Sequence, residues 1–291
     1  MVIIIGAKKK LLFKRVWRRC FSCVASGPFL ALLLFAPVSL MAQGGPPLLT
    51  DDPGTPGNNN WEVNLGYTSD RQSADNYYEA PILDMNYGLG DRVQLKYEMP
   101  FVCNSTNNGP LLSGPGDSKF GVKIRFLQNE KIDLNISTYP QLEINNTQNS
   151  VRRNLVYQGP QFLLPIEATK KIGPVDVDLE VGRWFTQQHN YWIAGLALGH
   201  QATRRLEVLA EVYSDGDPMG ERDNTFDFGG RYRLNRNALV LFMAGRSFSP
   251  PSSGQSQLIG YIGIQFQLGR HLHDDAEQQL HAAETARIAP K

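Results

Sequence analysis

The stretch RVQLKYEMPF, residues 92–101, alternates polar and apolar side chains along its length. Its apolar members are Val93, Leu95, Tyr97, Met99 and Phe101, and its polar members are Arg92, Gln94, Lys96 and Glu98. A period of two is that of a β-strand, whose successive side chains point to opposite faces. The stretch therefore predicts a strand with one apolar and one polar face.

The same alternation recurs from residue 61 to residue 268, and its clearest examples do not fit helical spacing. The candidate strands are 61–68, 77–87, 92–101, 119–126, 132–137, 155–167, 175–181, 191–200, 206–213, 225–233, 238–247 and 257–268. Long polar connections alternate with short turns rich in Gly, Asn and charge, such as GLGD at 88–91. We therefore predict an all-β fold, an up-and-down antiparallel transmembrane β-barrel of about 12 strands.

A soluble antiparallel barrel would show the same alternation and is the alternative. It would have to point its apolar face inward, and a ring of this size would leave an apolar void. In a membrane barrel, lipid meets the apolar face and the polar face lines the lumen. Aromatic residues near the strand ends are then expected in two girdles at the membrane surface. They are Trp61, Tyr67, Tyr87, Phe101, Phe126, Tyr157, Trp184, Tyr191, Trp192, Tyr213, Phe226, Tyr232 and Phe266.

Composition excludes several classes of protein. The chain has 291 residues, 42% hydrophobic and 20% charged, which is unlike a disordered chain or a coiled coil. Residues 1–42 hold seven Lys or Arg and no acidic residue, which leaves 22 basic against 28 acidic residues, a net charge of −6, in the remainder. This acidic body argues against a nucleic-acid partner. Only Cys103 lies beyond residue 42, so no disulfide and no two-cysteine metal or redox motif is expected there. No cofactor is predicted.

Residues 1–42 have the organisation of a secretory signal peptide. A basic region at 8–19 precedes the apolar run FLALLLF at 29–35, and Ala42 is a suitable last residue before the cut. The alternative is a membrane anchor, because 20–42 carries no charge and could just span a bilayer, although two prolines interrupt it. We predict a cleaved signal peptide.

The predicted organisation is a signal peptide over 1–42, an N-terminal periplasmic segment over 43–60, the barrel over 61–268 and a periplasmic, partly helical tail over 269–291. After residue 42 no apolar stretch is long enough for a membrane-spanning helix. We expect the chain in the outer membrane of a Gram-negative bacterium. Its expected partners are outer-membrane lipids, the barrel-assembly machinery and a small-molecule solute.

Three motifs early in the chain resemble one known family. They are GPPLLTDDPGTPGNNNWEVNLGY (45–67), GLGDRVQLKYEMPF (88–101) and GPGDSKFGVKIRFL (114–127). They are similar to the outer-membrane transporter family named for the MetA pathway of phenol degradation, over residues 44–127. The resemblance implies an outer-membrane barrel that moves aromatic or other hydrophobic compounds, and it transfers no catalytic residue to this chain. The tail after Leu268 departs from barrels that stop at a terminal aromatic, although Phe266 lies close to that position.

Charged residues on the polar face are the candidate lining of the lumen. They are Arg92, Lys96, Glu98, Lys119, Lys123, Arg125, Asp176, Asp178, Glu180, Glu207, Glu211, Arg231 and Arg233. In a closed ring a basic wall would face a partly acidic one, and the transverse field would orient polar solutes. Alternatively, the charges pair across the lumen and plug it, as in barrels that serve as scaffolds.

Two other groups carry the donors of a metal site. His271 and His273 could bind a metal, but the acidic residues after them favour the start of a solvated helix over 274–287. Asp51 and Asp52 could bind calcium, but they also suit a Pro/Gly-rich turn that leads the N-terminal segment into or beneath the barrel. No metal site is predicted.

The barrel contains only His189 and His200 as histidine bases, and no serine in a nucleophile-like context lies near either in sequence. An enzyme of the barrel-lipase type is therefore the least favoured function, and no catalytic residue is predicted. The sequence predicts an outer-membrane channel or transporter for passive passage of small, aromatic or hydrophobic compounds. The main alternative is a structural or scaffold barrel with a plugged lumen.

Overall fold

The computed structural model describes residues 45–72, 75–106, 109–217, 220, 222–248 and 256–269. The predicted signal peptide, the helix over 274–287 and the pair His271 and His273 lie outside these residues. Within the described part, no helix is both long enough and apolar enough to span a membrane.

The described residues form antiparallel strands and one short helix. The strands are β1 (Trp61–Arg71), β2 (Asp75–Leu89), β3 (Val93–Thr106), β4 (Leu112–Pro115), β5 (Asp117–Asn129), β6 (Leu134–Thr138), β7 (Gln141–Asn145), β8 (Gln161–Ile172), β9 (Val175–Phe185), β10 (Tyr191–Gln201), β11 (Leu206–Gly216), β12 (Arg222–Arg233), β13 (Ala238–Phe248) and β14 (Ser256–Leu268). The helix is α1 (Gln148–Arg152).

These strands close into a barrel. Each pairs with its neighbours in chain order, and β1 pairs with β14 from Trp61↔Leu268 to Arg71↔Leu258, which closes the ring. Strands β6 and β7 both lie between β5 and β8, so they are two parts of one interrupted barrel strand. The short β4 pairs only with β3, beside the ring. The barrel therefore has 12 strands, and the predicted fold is confirmed.

The two faces of the wall carry the predicted contrast. On β5, Phe120, Val122 and Ile124 are 44%, 40% and 42% exposed on the outer surface, whereas Lys123 between them is 2% exposed. The same contrast follows β12, and exposed apolar residues also alternate with buried residues along β8 and β10. The apolar face is thus directed outward, as lipid requires, and the polar face is directed into the lumen.

The two ends of the barrel differ in their connections. At one end, called here the short-turn end, the turns are 90–92, 130–133, 173–174, 202–205 and 234–237. At the other, the long-loop end, the larger connections include 107–116, which contains β4, and 146–160, which contains α1. Residues 45–60 lead into β1, which starts at the short-turn end.

One predicted strand was wrong in position. The sequence predicted a strand over 155–167, but β8 begins at Gln161, and Leu155 is buried in the loop that follows α1. Thr147 caps α1 by accepting a hydrogen bond from the Ser150 backbone N–H at 3.1 Å, and the Leu155 N–H donates to the Ser150 carbonyl at 3.0 Å. Leu155 is therefore apolar because it packs inside a folded loop, and not because it faces lipid.

Candidate functional site: a lumen with an inserted N-terminal segment

Residues 45–54 lie inside the barrel, and we call them the lumenal segment. Pro47, Leu48, Thr50, Asp52 and Pro53 are all buried there. The chain turns back on itself within the segment, because the Gly45 N–H donates to the Thr50 carbonyl at 3.2 Å and the Leu48 N–H donates to the Gly45 carbonyl at 3.1 Å. The sequence predicted an N-terminal periplasmic segment over 43–60. Within that range, the inner wall of the barrel holds residues 45–54.

Two carboxylates on one side of the wall hold the tip of the segment. Glu211 on β11 accepts the backbone N–H of Leu49 at 2.9 Å and that of Thr50 at 2.5 Å. Glu180 on β9 accepts the N–H of Asp51 at 2.9 Å. Hydrogen bonds to a charged acceptor in a buried site are among the strong ones, so this wall supplies firm anchors for the backbone.

Lys123 on β5 holds the opposite side of the segment. Its ammonium group lies 2.6 Å from the Asp51 carboxylate and also donates to the Asp52 carbonyl. It also lies 3.8 Å from Glu167 and 4.6 Å from the centre of the Tyr139 ring. Glu167 in turn accepts a hydrogen bond from the Ser137 hydroxyl at 2.6 Å. A buried cation with this set of partners is well compensated for its loss of water.

Further contacts tie the segment to the short-turn end. Arg231 on β12 lies 3.2 Å from Glu207 and donates to the Pro46 and Gly45 carbonyls at 3.4 Å. Just after the other end of the segment, the Thr55 hydroxyl donates to the Asp91 carbonyl at 3.0 Å. Both ends of the segment thus lie near short turns.

The segment also has an apolar contact. Leu48 packs in a buried cluster with Ala197, Leu209 and Met243, with Ile259 and Tyr261 against it. These wall residues come from β10, β11, β13 and β14, so one sector of the inner wall is apolar. Burial of a leucine side chain stabilises by about 1.5–3 kcal/mol, which adds to the polar anchors.

A chamber of about 520 Å³ lies beside the tip of the segment, toward the long-loop end. Aromatic and aliphatic residues line much of it, and they are Leu48, Ile82, Trp184, Tyr191, Ile193, Tyr213, Met243, Ile259 and Tyr261. The rings of Trp184 and Tyr191 stack at 6.2 Å between centres. Charged side chains, among them Glu79, Lys119 and Asp70, line the rest. The volume and lining suit a small amphipathic or aromatic molecule.

The structure corrects the predicted position of three of these rings. The sequence placed Trp184, Tyr191 and Tyr213 in the lipid-facing girdles, but all three line the chamber. Tyr213 shares its face with Glu211, two residues earlier, and Trp184 shares its face with Glu180. The alternation of side chains therefore indicated that Tyr213 and Trp184 face the lumen. The general expectation of aromatic girdles led to the wrong assignment. Other members, such as Trp61, Phe126 and Trp192, are exposed on the outer face.

The predicted lumen residues fall into three groups. Lys123, Glu180, Glu211 and Arg231 contact the lumenal segment, and Glu207 pairs with Arg231. Others pair along the wall: Lys96 with Asp84 at 3.3 Å and with Glu98 at 2.7 Å, and Lys119 with Glu98 at 3.4 Å and with Glu143 at 3.1 Å. The basic residues on β3 and β5 thus have acidic partners close by, which reduces the transverse field that the sequence suggested.

The remaining members lie nearer the short-turn end. Arg125 donates to the Asp91 carbonyl at 2.5 Å, Asp176 lies 3.5 Å from Lys171, and Asp178 accepts the Thr169 hydroxyl at 2.5 Å. Arg92 is an exposed turn residue, and Arg233 is half-buried at the end of β12. These residues are not brought into the chamber.

The two acidic residues of the segment serve as turn residues. Asp51 accepts the Asp52 N–H at 2.8 Å, and Asp52 accepts the Gly54 N–H at 2.7 Å. Among the described residues, no group of three or more His, Cys, Asp or Glu side chains is arranged to hold a metal ion. His189 lies in the loop before β10 and His200 near the other end of that strand, where its ring contacts the Pro174 carbonyl at 2.9 Å.

Comparison with known proteins gives the fold and no family name. No protein-family model matches the chain, and no curated protein matches it. Among solved structures, it is similar to the COG4313 outer membrane channel from Pseudomonas putida F1, with a TM-score of 0.61 and 14% identity over 75% of this chain and 98% of that one. It is also similar to the KdgM porin, with a TM-score of 0.50 and 12% identity over 70% and 98% of the two chains.

A third similar structure is the translocator domain of the autotransporter NalP from Neisseria meningitidis, with a TM-score of 0.50 and 8% identity over 72% of this chain and 89% of that one. Proteins of different activity thus share the architecture. The fold of this chain is that of an outer-membrane β-barrel.

Proposed function

We propose that this chain is an outer-membrane channel for the passive passage of small aromatic or hydrophobic compounds. The short-turn end faces the periplasm and the long-loop end faces the exterior, as in other barrels of this kind. Residues 1–42 act as a signal peptide cut near Ala42. Outer-membrane lipids and the barrel-assembly machinery are then its partners.

The chamber carries this proposal. It lies inside the barrel, holds about 520 Å³ and is lined by several aromatic and aliphatic side chains next to charged ones. Pockets that bind small organic molecules have volumes of about 300–1,000 Å³ and mostly apolar walls with a few polar groups. A plain water-filled pore would have a polar lining throughout. The chamber therefore favours a solute with an apolar or aromatic body.

Two likenesses support a transport function, and the first of them also supports this class of solute. The motifs over 44–127 resemble the family named for the MetA pathway of phenol degradation, which implies aromatic or hydrophobic compounds. The similar structure with the TM-score of 0.61 is itself described as an outer membrane channel. Both point to a transport function for this fold.

A scaffold barrel with a plugged lumen is the second candidate function, and the lumenal segment favours it. The segment is held by Glu211, Glu180, Lys123 and Arg231, so the lumen is partly filled. A scaffold needs no solute site, whereas a channel must accept a solute in its chamber. Binding in the chamber therefore separates the two functions.

Trp184 provides the test, because it lines the chamber while Trp61 and Trp192 are exposed on the outer face. A variant in which Trp17, Trp61 and Trp192 are all Phe keeps Trp184 as its one tryptophan. We expect p-cresol to change the emission of this variant in a saturable way. In the matched control, where Trp184 is Phe and Trp61 and Trp192 remain, only a small linear change is expected.

Flux is then measured with the unaltered protein. In planar bilayers, we expect discrete conductance steps that p-cresol blocks, and in liposomes we expect p-cresol to cross faster than through empty membranes. No saturable signal from Trp184 and no flux, from a protein that retains the spectrum of folded β-sheet, would establish the scaffold instead.

A further inference from the structure

A second cavity of about 500 Å³ lies at the long-loop end, and we call it the outer vestibule. Three connections of the barrel supply its walls: residues 157–161 before and in β8, residues 186–191 between β9 and β10, and Asp215–Asp217 at the end of β11. It lies to one side of the barrel rim, above the neighbouring strands β8 to β11.

Two of the three walls of the outer vestibule are held in place by local hydrogen bonds. In the loop between β9 and β10, the Thr186 N–H donates to the Asn190 side chain at 2.9 Å, and the Thr186 hydroxyl donates to the His189 carbonyl at 2.8 Å. In the facing loop, the Gly159 N–H donates to the Asn145 side chain at 2.7 Å. Hydrogen bonds thus fix two walls of the outer vestibule, on either side of the cavity.

The outer vestibule and the chamber share two residues. Tyr191 and Asp215 line both cavities, from β10 and β11 respectively. On the chamber side, the Tyr191 ring stacks on Trp184 at 6.2 Å between centres. These two side chains therefore form the partition between the outer vestibule and the chamber.

The partition is acidic. Asp215 is the register partner of Asp223 on β12, and within the described residues neither forms an ion pair. None of the described residues that line the outer vestibule is Lys or Arg. Acidic groups at a narrow passage attract cations and repel anions, and they leave neutral solutes little affected.

We propose that the outer vestibule is the entrance to the chamber, and that Tyr191 and Asp215 form its constriction, which admits neutral and cationic solutes ahead of anions. This deepens the proposed function and rests on it only for the nature of the solute. The route runs between three loops at the edge of the rim and reaches the chamber at its aromatic wall.

Access of a quencher to Trp184 tests the route without any need for transport. The background is the variant with Trp184 as its one tryptophan and with Cys103→Ser, so that an added cysteine is the one thiol beyond residue 42. Gln188→Cys places a thiol on the exposed wall of the outer vestibule. Arg71→Cys is the matched control, because it is exposed at the same end of the barrel on β1, across the ring.

After labelling with a bulky maleimide, we expect acrylamide quenching of Trp184 to fall at least several-fold for Gln188→Cys and to stay unchanged for Arg71→Cys. Equal quenching in the two labelled proteins would overturn the proposed entrance. If labelling of Gln188→Cys reduces acrylamide quenching of Trp184 but the protein shows no p-cresol flux, the proposed entrance is supported and the proposed function is contradicted.

The charge selection is tested in the same unlabelled background. We expect iodide to quench Trp184 less than acrylamide does, and Asp215→Asn to raise the iodide constant several-fold while the acrylamide constant hardly changes. Tyr191→Ala is expected to raise the acrylamide constant, with Tyr191→Phe close to the parent. If Asp215→Asn changed iodide and acrylamide quenching equally, the side chain would have no role in selection.

Discussion

The ammonium group of Lys123 lies 2.6 Å from the carboxylate of Asp51, and this pair joins the barrel wall to the segment inside the lumen. The two residues are 72 positions apart in the chain. Because Lys123 is 2% exposed, water cannot replace Asp51 as its partner without a movement of the segment. The state of the lumen is therefore linked to one buried ion pair.

Lys123→Met is expected to loosen the lumenal segment. The change leaves Asp51 and Glu167 without their shared cation, and removal of one partner from a buried pair costs about 3–5 kcal/mol. Single-channel recording should show a larger conductance. Lys171→Met is the control, because that lysine is 51% exposed in its pair with Asp176 and should leave the conductance unchanged. Equal currents in the two variants would contradict the role of Lys123.

Glu211→Gln is expected to free two backbone amides. The carboxylate accepts from both Leu49 and Thr50, whereas a glutamine amide has one acceptor oxygen and no charge. Loss of a charged acceptor costs about 1.5–3 kcal/mol, which corresponds to roughly ten- to a hundred-fold faster hydrogen exchange at these amides. Glu180→Gln should accelerate exchange at Asp51 instead. Uniform acceleration over the whole barrel in either variant would show general destabilisation rather than local release.

Gly195→Ala is expected to displace the segment by a direct clash. A methyl group at Gly195 on β10 would overlap the hydroxyl and methyl-bearing carbon of Thr50. Proteinase K is then expected to cleave the chain within residues 45–54. Combining Gly195→Ala with Thr50→Gly should restore protection, and Thr50→Gly alone measures the effect of added chain flexibility. Cleavage that persists in the double variant would mean that the methyl group acts elsewhere.

Leu179→Arg is expected to destabilise the barrel in lipid. Leu179 is 50% exposed on the outer face of β9, where a charge meets the hydrocarbon, and the cost there is about 2–4 kcal/mol. Denaturant unfolding of the protein from phospholipid vesicles measures this loss. Glu130→Arg, in the turn after β5, should change the free energy of unfolding by less than about 0.5 kcal/mol. A similar loss in both variants would argue against a lipid-facing position for Leu179.

The alternation of side chains was sufficient to predict the strand number and the face of most strands. It succeeded for β5 and β9 because each has apolar residues on one face and charged residues on the other. It was less informative for β13, ALVLFMAGRSF, which has apolar residues on both faces because its inner side packs against the lumenal segment. Inward aromatics such as Tyr213 were misplaced for a related reason, since an apolar chamber reverses the usual rule for a barrel interior.

The turn within the lumenal segment could be predicted from the sequence, but its contacts with the barrel wall could not. Asp51 and Asp52 in a Pro/Gly-rich stretch indicated a turn that leads into or beneath the barrel, and the structure has that turn. Its partners were not predictable, because Glu211 is 161 positions from Thr50 and Arg231 is 185 positions from Pro46. A local sequence pattern cannot predict contacts between residues so far apart in the chain.

The anchoring of the lumenal segment also concerns biogenesis. Lys123 belongs to the first half of the barrel, whereas Glu180, Glu211 and Arg231 belong to the second, so the segment can complete its contacts only when both halves are present. The segment is followed, six residues later, by β1, which pairs with β14 and so joins the two ends of the barrel. Contacts of such long sequence separation form late in folding. An incompletely assembled barrel would therefore hold its N-terminal segment loosely, and quality-control proteases could recognise it by that loose segment.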